Sequence, residues 1–143
     1  MTTFETRSWA SVSEGDALPD LEFGPITLTT MAMDVSGTRD LYPIHHDREF
    51  AKKNGARDIF VNTMWYQGLL GRYVTDWSGP ESFLRKLGFD MRGTNCPGDT
   101  LTVRGTVTRK YEDGGKKLAD LDVRIDNQDA TDTCVARITV ELT

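Results

Sequence analysis

Cysteine and histidine are scarce in this chain, with two of each among 143 residues. Cys96 and Cys134 form no Cys-x-x-Cys pair, so neither a zinc ribbon nor a disulfide framework can be built from them. Both are expected as free thiols. The two histidines, His45 and His46, are adjacent, which confines any histidine chemistry to one place. Hydrophobic runs are short, as in Ile59-Phe60-Val61, whereas a membrane span needs ~20 apolar residues. The first sixteen residues carry Glu5, Arg7, Glu14 and Asp16 and no apolar stretch, which argues against a secretory leader. Positive charge is also in deficit. Seventeen Lys and Arg against 22 Asp and Glu leave a net charge of −5. An acidic chain with no basic stripe is a poor partner for nucleic acid, whose affinity comes from phosphate neutralisation. A cytoplasmic protein with no membrane or nucleic-acid partner is expected.

What remains is an ordinary globular composition: 38% hydrophobic and 27% charged residues, in a length suited to one domain. No repeat or low-complexity linker divides it, so residues 1–143 are expected to form a single domain. Residues 1–20 are polar and read as an N-terminal arm or edge segment. Residues 26–35 are rich in Thr, Ile and Val and read as a strand ended by Gly37. Pro43 interrupts any regular helix and biases Tyr42 to an extended conformation. Asp47 suits the N-cap of a short helix over 48–53, with Asn54-Gly55 as its stop. A longer helix over 62–77 is apolar nearly all round and reads as buried. Its Gly68 and Gly71 make sense if another surface approaches closely.

After Gly79-Pro80, residues 83–91 are ambiguous between helix and strand. The last third is clear. Apolar residues alternate with polar ones over 101–107, 119–125 and 134–142, each a half-buried strand. Asp113-Gly114-Gly115 reads as a hairpin turn, and 127–132 as a polar connector. The fold class is α+β: an antiparallel sheet wrapped around one central buried helix, the hotdog architecture.

One cluster carries chemistry. Asp40 and His45 flank Pro43, and a Pro-containing turn can fold both side chains into one pocket. A carboxylate and an imidazole around one water form a general acid/base pair. On spacing alone, a capped turn with a surface Asp and a hydrogen-bonded His is the favoured reading. The start of the long helix, Asn62-Thr63, offers free N–H groups suited to an oxyanion or a phosphate, and Asn62 also suits a plain N-cap. His46 and Asp47 read as a turn residue and a cap.

The run Asp40-Leu41-Tyr42-Pro43-Ile44-His45 resembles the hydratase-2 motif of MaoC-like acyl dehydratases: Asp, any residue, Asn, Pro, any residue, His. Gly15-Asp16-Ala17-Leu18-Pro19 resembles that family's N-terminal stretch, and Pro97-Gly98-Asp99-Thr100-Leu101 its entry to the late strands. His45-His46-Asp47-Arg48, Asp58-Ile59-Phe60-Val61-Asn62 and Arg72-Tyr73-Val74-Thr75-Asp76-Trp77 are similar to the small subunits of actinobacterial steroid side-chain hydratases. Two residues depart from the general pattern. Tyr42 replaces Asn before Pro43, and Asn62-Thr63 stands where His-Gly is usual; the steroid-type subgroup shares the second change.

The resemblance implies a hotdog fold and hydration of a trans-2-enoyl-CoA to a 3-hydroxyacyl-CoA, or the reverse. It implies Asp40 and His45 as catalytic pair. Asp40 is taken as the base and His45 as the acid, with the reverse assignment open. Asn62, Thr63 and Tyr42 are expected at the oxyanion and substrate site. No metal or redox cofactor is implied, CoA being part of the substrate. The implied partner is a second MaoC-like hotdog chain, in a homodimer, heterodimer or heterotetramer. Three alternatives are a hotdog thioesterase, a non-catalytic subunit shaping its partner's tunnel, and a metal enzyme using His45, His46 and Asp47.

Overall fold

Alternation at period two builds the sheet. A computed structural model describes residues 5–143. Three long strands, β3 (Leu101–Asp113), β4 (Lys116–Asn127) and β5 (Cys134–Glu141), follow one another as antiparallel neighbours. Leu101, Val103 and Val107 of β3 and Leu121, Val123 and Ile125 of β4 point inward and are fully buried. The β3–β4 turn is made by Gly114 and Gly115 at φ 56° and 77°, left-handed values that glycine adopts without strain. Strand β1 (Ala17–Phe23) flanks β3, and β2 (Phe83–Met91) flanks β5. The order is β1-β3-β4-β5-β2, antiparallel throughout. The ambiguous stretch at 83–91 is thus an edge strand.

Helix α3 (Thr63–Ser78) lies in the concave face of this sheet and buries Tyr66, Leu69, Leu70, Tyr73, Val74 and Trp77. Strand and helix meet closely at Gly105, where an added Cβ would stand 3.1 Å from Tyr73. This is the hotdog architecture. The helix is not buried all round, however. The sheet covers one side only, and Gln67, Gly68, Arg72, Thr75 and Asp76 are exposed. Among the described residues, nothing beyond the helix's own backbone comes within 4 Å of a Cβ built on Gly68 or Gly71, so the expected close approach is not made by them.

The largest correction concerns residues 26–35. They do not form a strand; helix α1 (Leu28–Thr38) occupies most of the stretch. The β-branched threonines serve as caps. Thr27 and Thr30 exchange side-chain and backbone hydrogen bonds in a reciprocal capping box. Met31, Asp34 and Val35, spaced by three and one, bury one face of the helix. Beyond it, Pro43–His45 form a 3₁₀ turn and α2 (Arg48–Lys53) follows, capped by Asp47 as expected.

Of the arm expected over residues 1–20, residues 1–4 lie outside the described part. From Glu5 onward it is docked. Arg7 donates from its backbone to Ser78 and from Nε to the Trp77 carbonyl, and Val12 is buried. Residues 17–20 already belong to β1. Among the described residues no helix is long and apolar enough to cross a membrane.

The capping box gives a direct check on α1. Thr27 is exposed, so replacing it with Ala would be neutral within about 0.5 kcal/mol if it only preceded a strand. As a helix cap it is expected to cost about 1 kcal/mol in urea denaturation.

Candidate active site

Helix α1 ends at Arg39, whose left-handed φ of 56° turns the chain sharply. Asp40 follows at once. Its Oδ1 accepts the Tyr42 N–H at 3.3 Å, a local side-chain turn. The Tyr42 carbonyl then accepts the His45 N–H at 3.1 Å, closing the 3₁₀ turn that Pro43 opens. This winding brings Asp40 Oδ2 to 3.4 Å from His45 Nε2. His45 is buried, and the Asp40 side chain is a quarter exposed. A water touching both groups would have access to solvent.

The orientation of His45 is set from behind. Its Nδ1 lies 2.7 Å from the Phe60 carbonyl oxygen. A carbonyl can only accept, so Nδ1 carries the proton and Nε2 is left facing Asp40. The Phe60 ring meets the imidazole edge-on at 5.1 Å.

Two residues after Phe60 stands Asn62, buried at the N-cap of α3. Its Oδ1 accepts from Trp65 N–H at 2.9 Å, and its Nδ2 donates to Thr38 Oγ1 at 2.7 Å. The Tyr66 N–H reaches the Asn62 carbonyl. Among the described residues the N–H groups of Thr63 and Met64, both on exposed residues, have no partner at this helix start. A carbonyl oxygen gaining negative charge can be held there.

A carboxylate absent from the sequence reading completes the cluster. Asp34, on the buried face of α1, accepts the Asn62 backbone N–H through Oδ2 at 3.0 Å. Its Oδ1 is buried without a protein partner. Burial raises its carboxyl above the ordinary 3.8; the Asn62 N–H and His45 oppose this, and Asp40 adds to it. The misassigned strand hid it, because a helical period over 28–38 would have put Asp34 beside Met31 and Val35 on the inner face.

The other expected residues are placed as follows. The Tyr42 ring is exposed and packs edge-on against Phe50 at 5.6 Å, so its main chain, not its ring, holds Asp40. His46 Nε2 lies 3.1 Å from the Leu41 carbonyl, and Asp47 caps α2. His45, His46 and Asp47 do not converge, and among the described residues no group of three His, Cys, Asp or Glu could hold a metal ion. Cys96 and Cys134 are buried free thiols. Burial pushes both thiols up, Cys134 to about 11, which leaves them poor nucleophiles.

The family model of the MaoC-like domain matches residues 3–128. The chain is 38% identical over 96 residues to the 3-oxo-4,17-pregnadiene-20-carboxyl-CoA hydratase beta subunit of Mycobacterium tuberculosis, covering 66% of this chain and 72% of that protein. It is similar to a chain of the crystallised ChsH1-ChsH2 complex from Mycobacterium tuberculosis at 32% identity and a TM-score of 0.82, covering 92% of this chain and 98% of that one. It is also similar to an (R)-hydratase from A. caviae involved in PHA biosynthesis, at 25% identity and a TM-score of 0.75, covering 93% and 98%.

The raised Asp34 carboxyl makes a signed prediction. The folded chain holds this proton more tightly than the unfolded one. Its contribution to stability is present below about 3.8 and lost as pH rises through the higher folded value. Asp34→Asn keeps an oxygen acceptor for Asn62 and cannot titrate. Urea denaturation across that window should show wild-type stability falling relative to Asp34→Asn as pH rises. A constant difference between the two would contradict the burial argument.

Proposed function

The chain belongs to the MaoC-like domain family, and on that premise we propose that it hydrates a trans-2-enoyl-CoA to a 3-hydroxyacyl-CoA, or runs the reverse dehydration. The observation carrying this reading is the 3.4 Å approach of Asp40 Oδ2 to His45 Nε2, with Nδ1 tied back to Phe60. Asp40 takes a proton from water as its oxygen bonds to Cβ. The carbon–carbon π electrons move toward the thioester, and the Thr63 N–H holds the enolate oxygen. His45 then delivers a proton from Nε2 to Cα. Transfer of the proton on Asp40 to His45 restores the starting state. No net oxidation or reduction occurs, so no redox cofactor is required; CoA is carried by the substrate.

The acyl part is proposed to be bulky, of steroid type. The function of the 38%-identical relative supports this. Leu41 and Tyr42 of the turn, with Met33 of α1 and Met64 of α3, stay exposed. The same exposed residues support a second proposal within this reading: the chain works with another hotdog chain, identical or different. Among the described residues β2 pairs on one side only, with β5, and its other edge is suited to pairing.

Purification with and without candidate hotdog partners, followed by native mass and an enoyl-CoA hydration assay, tests both parts. Asp40→Asn and His45→Ala, in folded protein, are each expected to lower kcat by about 10²–10⁴-fold. Wild-type hydration by both variants in the active assembly would leave this chain as a non-catalytic subunit. Release of free CoA without loss of enoyl absorbance would make it a thioesterase.

A further inference from the structure

A carboxylate buried with one oxygen unpartnered is costly, because the charge loses its water and gains only part of a replacement shell. Asp34 is only 5% exposed, and its Oδ1 has no protein partner. A neutral Asn could accept the same Asn62 N–H, so the hydrogen bond alone does not call for an acid. An acid at this place is explained where a neighbouring group makes use of its charge.

The backbone shows what that is. In an extended segment, peptide groups point alternately to either side, so the C=O of one residue and the N–H two residues on share an edge. Phe60 C=O and Asn62 N–H are such a pair, and Val61 N–H goes to Asn95. The shared edge is occupied by His45 Nδ1 at Phe60 and by Asp34 Oδ2 at Asn62. The two side chains thus hang from one short stretch of wall. A second tie closes the loop: Thr38 Oγ1 accepts from Asn62 Nδ2 and donates to the Asp34 carbonyl. Asp40 lies two residues beyond Thr38.

We propose that Asp34 is a positioning residue for His45, placing a buried negative charge behind the imidazole while it ties the end of α1 to the start of α3. The proposal rests on the acid/base reading of Asp40 and His45 and adds a third member to that pair. The proposed step needs His45 to give a proton to Cα, and a negative charge on Asp34 favours the imidazolium form that does so. The ionisable groups acting on Asp34 are His45, from the 3₁₀ turn, and Asp40, from the loop after α1. The partners that α1 and the start of α3 supply, Thr38 and Asn62, are uncharged.

Coupling between two titrating groups is mutual, so it can be read from either side. Carbon-13 NMR of aspartate-labelled protein follows the Asp34 carboxyl carbon through a pH titration without any substrate. In wild type this carbon is expected to show a second inflection where His45 titrates. His45→Gln should remove that inflection and move the Asp34 midpoint upward by about half a unit or more, since a favourable cation is lost. Asp40→Asn should move it downward. A single Asp34 inflection in wild type, independent of His45, overturns the proposal even if His45→Gln does not fold. In the hydration assay, Asp34→Asn should lower kcat at least tenfold with KM within about twofold; unchanged kcat also overturns it. If instead His45→Ala hydrates like wild type while the NMR coupling is present, the catalytic reading has failed and the electrostatic one stands.

Discussion

The Phe60 carbonyl accepts the His45 Nδ1 proton, and two residues later the Asn62 N–H is accepted by Asp34. Between them Val61 is fully buried, and its N–H is anchored to Asn95. This three-residue segment cannot shift without releasing the imidazole, the end of α1 and the first turn of α3 together. Its backbone therefore sets the angle at which Nε2 meets Asp40 and the direction in which the Thr63 N–H points. The sheet contributes by holding α3, whose buried face from Tyr66 to Trp77 leaves the helix little freedom to move.

The three long strands were legible because their outer faces meet water and their inner faces meet α3, which imprints period two on 101–107, 119–125 and 134–142; β1 and β2, at the sheet edges, carry no such clean alternation. The long helix, its cap at Asn62 and the Asp47 cap were legible for the same local reasons. Helix α1 was not. Its threonines carry strand propensity, and the reciprocal Thr27–Thr30 cap that overrides it lacks the usual acidic partner. Asp34 was lost with α1, since a residue's burial follows from its element. The pairing of Asp40 with His45 came from a motif; the Phe60 carbonyl that orients the imidazole had no sequence signature, because any residue can supply a carbonyl.

Stability and chemistry pull apart in this cluster. Burial raises the Asp34 carboxyl, and an uncharged residue could accept the same Asn62 N–H. The Tyr73 hydroxyl is likewise buried without a partner among the described residues, whereas other buried polar side chains are paired. Asn95 bonds with Tyr66, Thr133 and Asn127, and Asp99 holds Arg57, Gln128 and the Cys96 N–H. These groups knit the core, whereas the proposed role of Asp34 is to serve the Asp40/His45 pair.

A crystal structure of the native assembly with a 3-hydroxyacyl-CoA bound tests the central claim most directly. The account predicts the product hydroxyl within hydrogen-bond distance of both Asp40 Oδ2 and His45 Nε2, and the thioester oxygen on the Thr63 N–H. A hydroxyl held by neither Asp40 nor His45 of this chain, with the thioester seated in the partner's site, would contradict it.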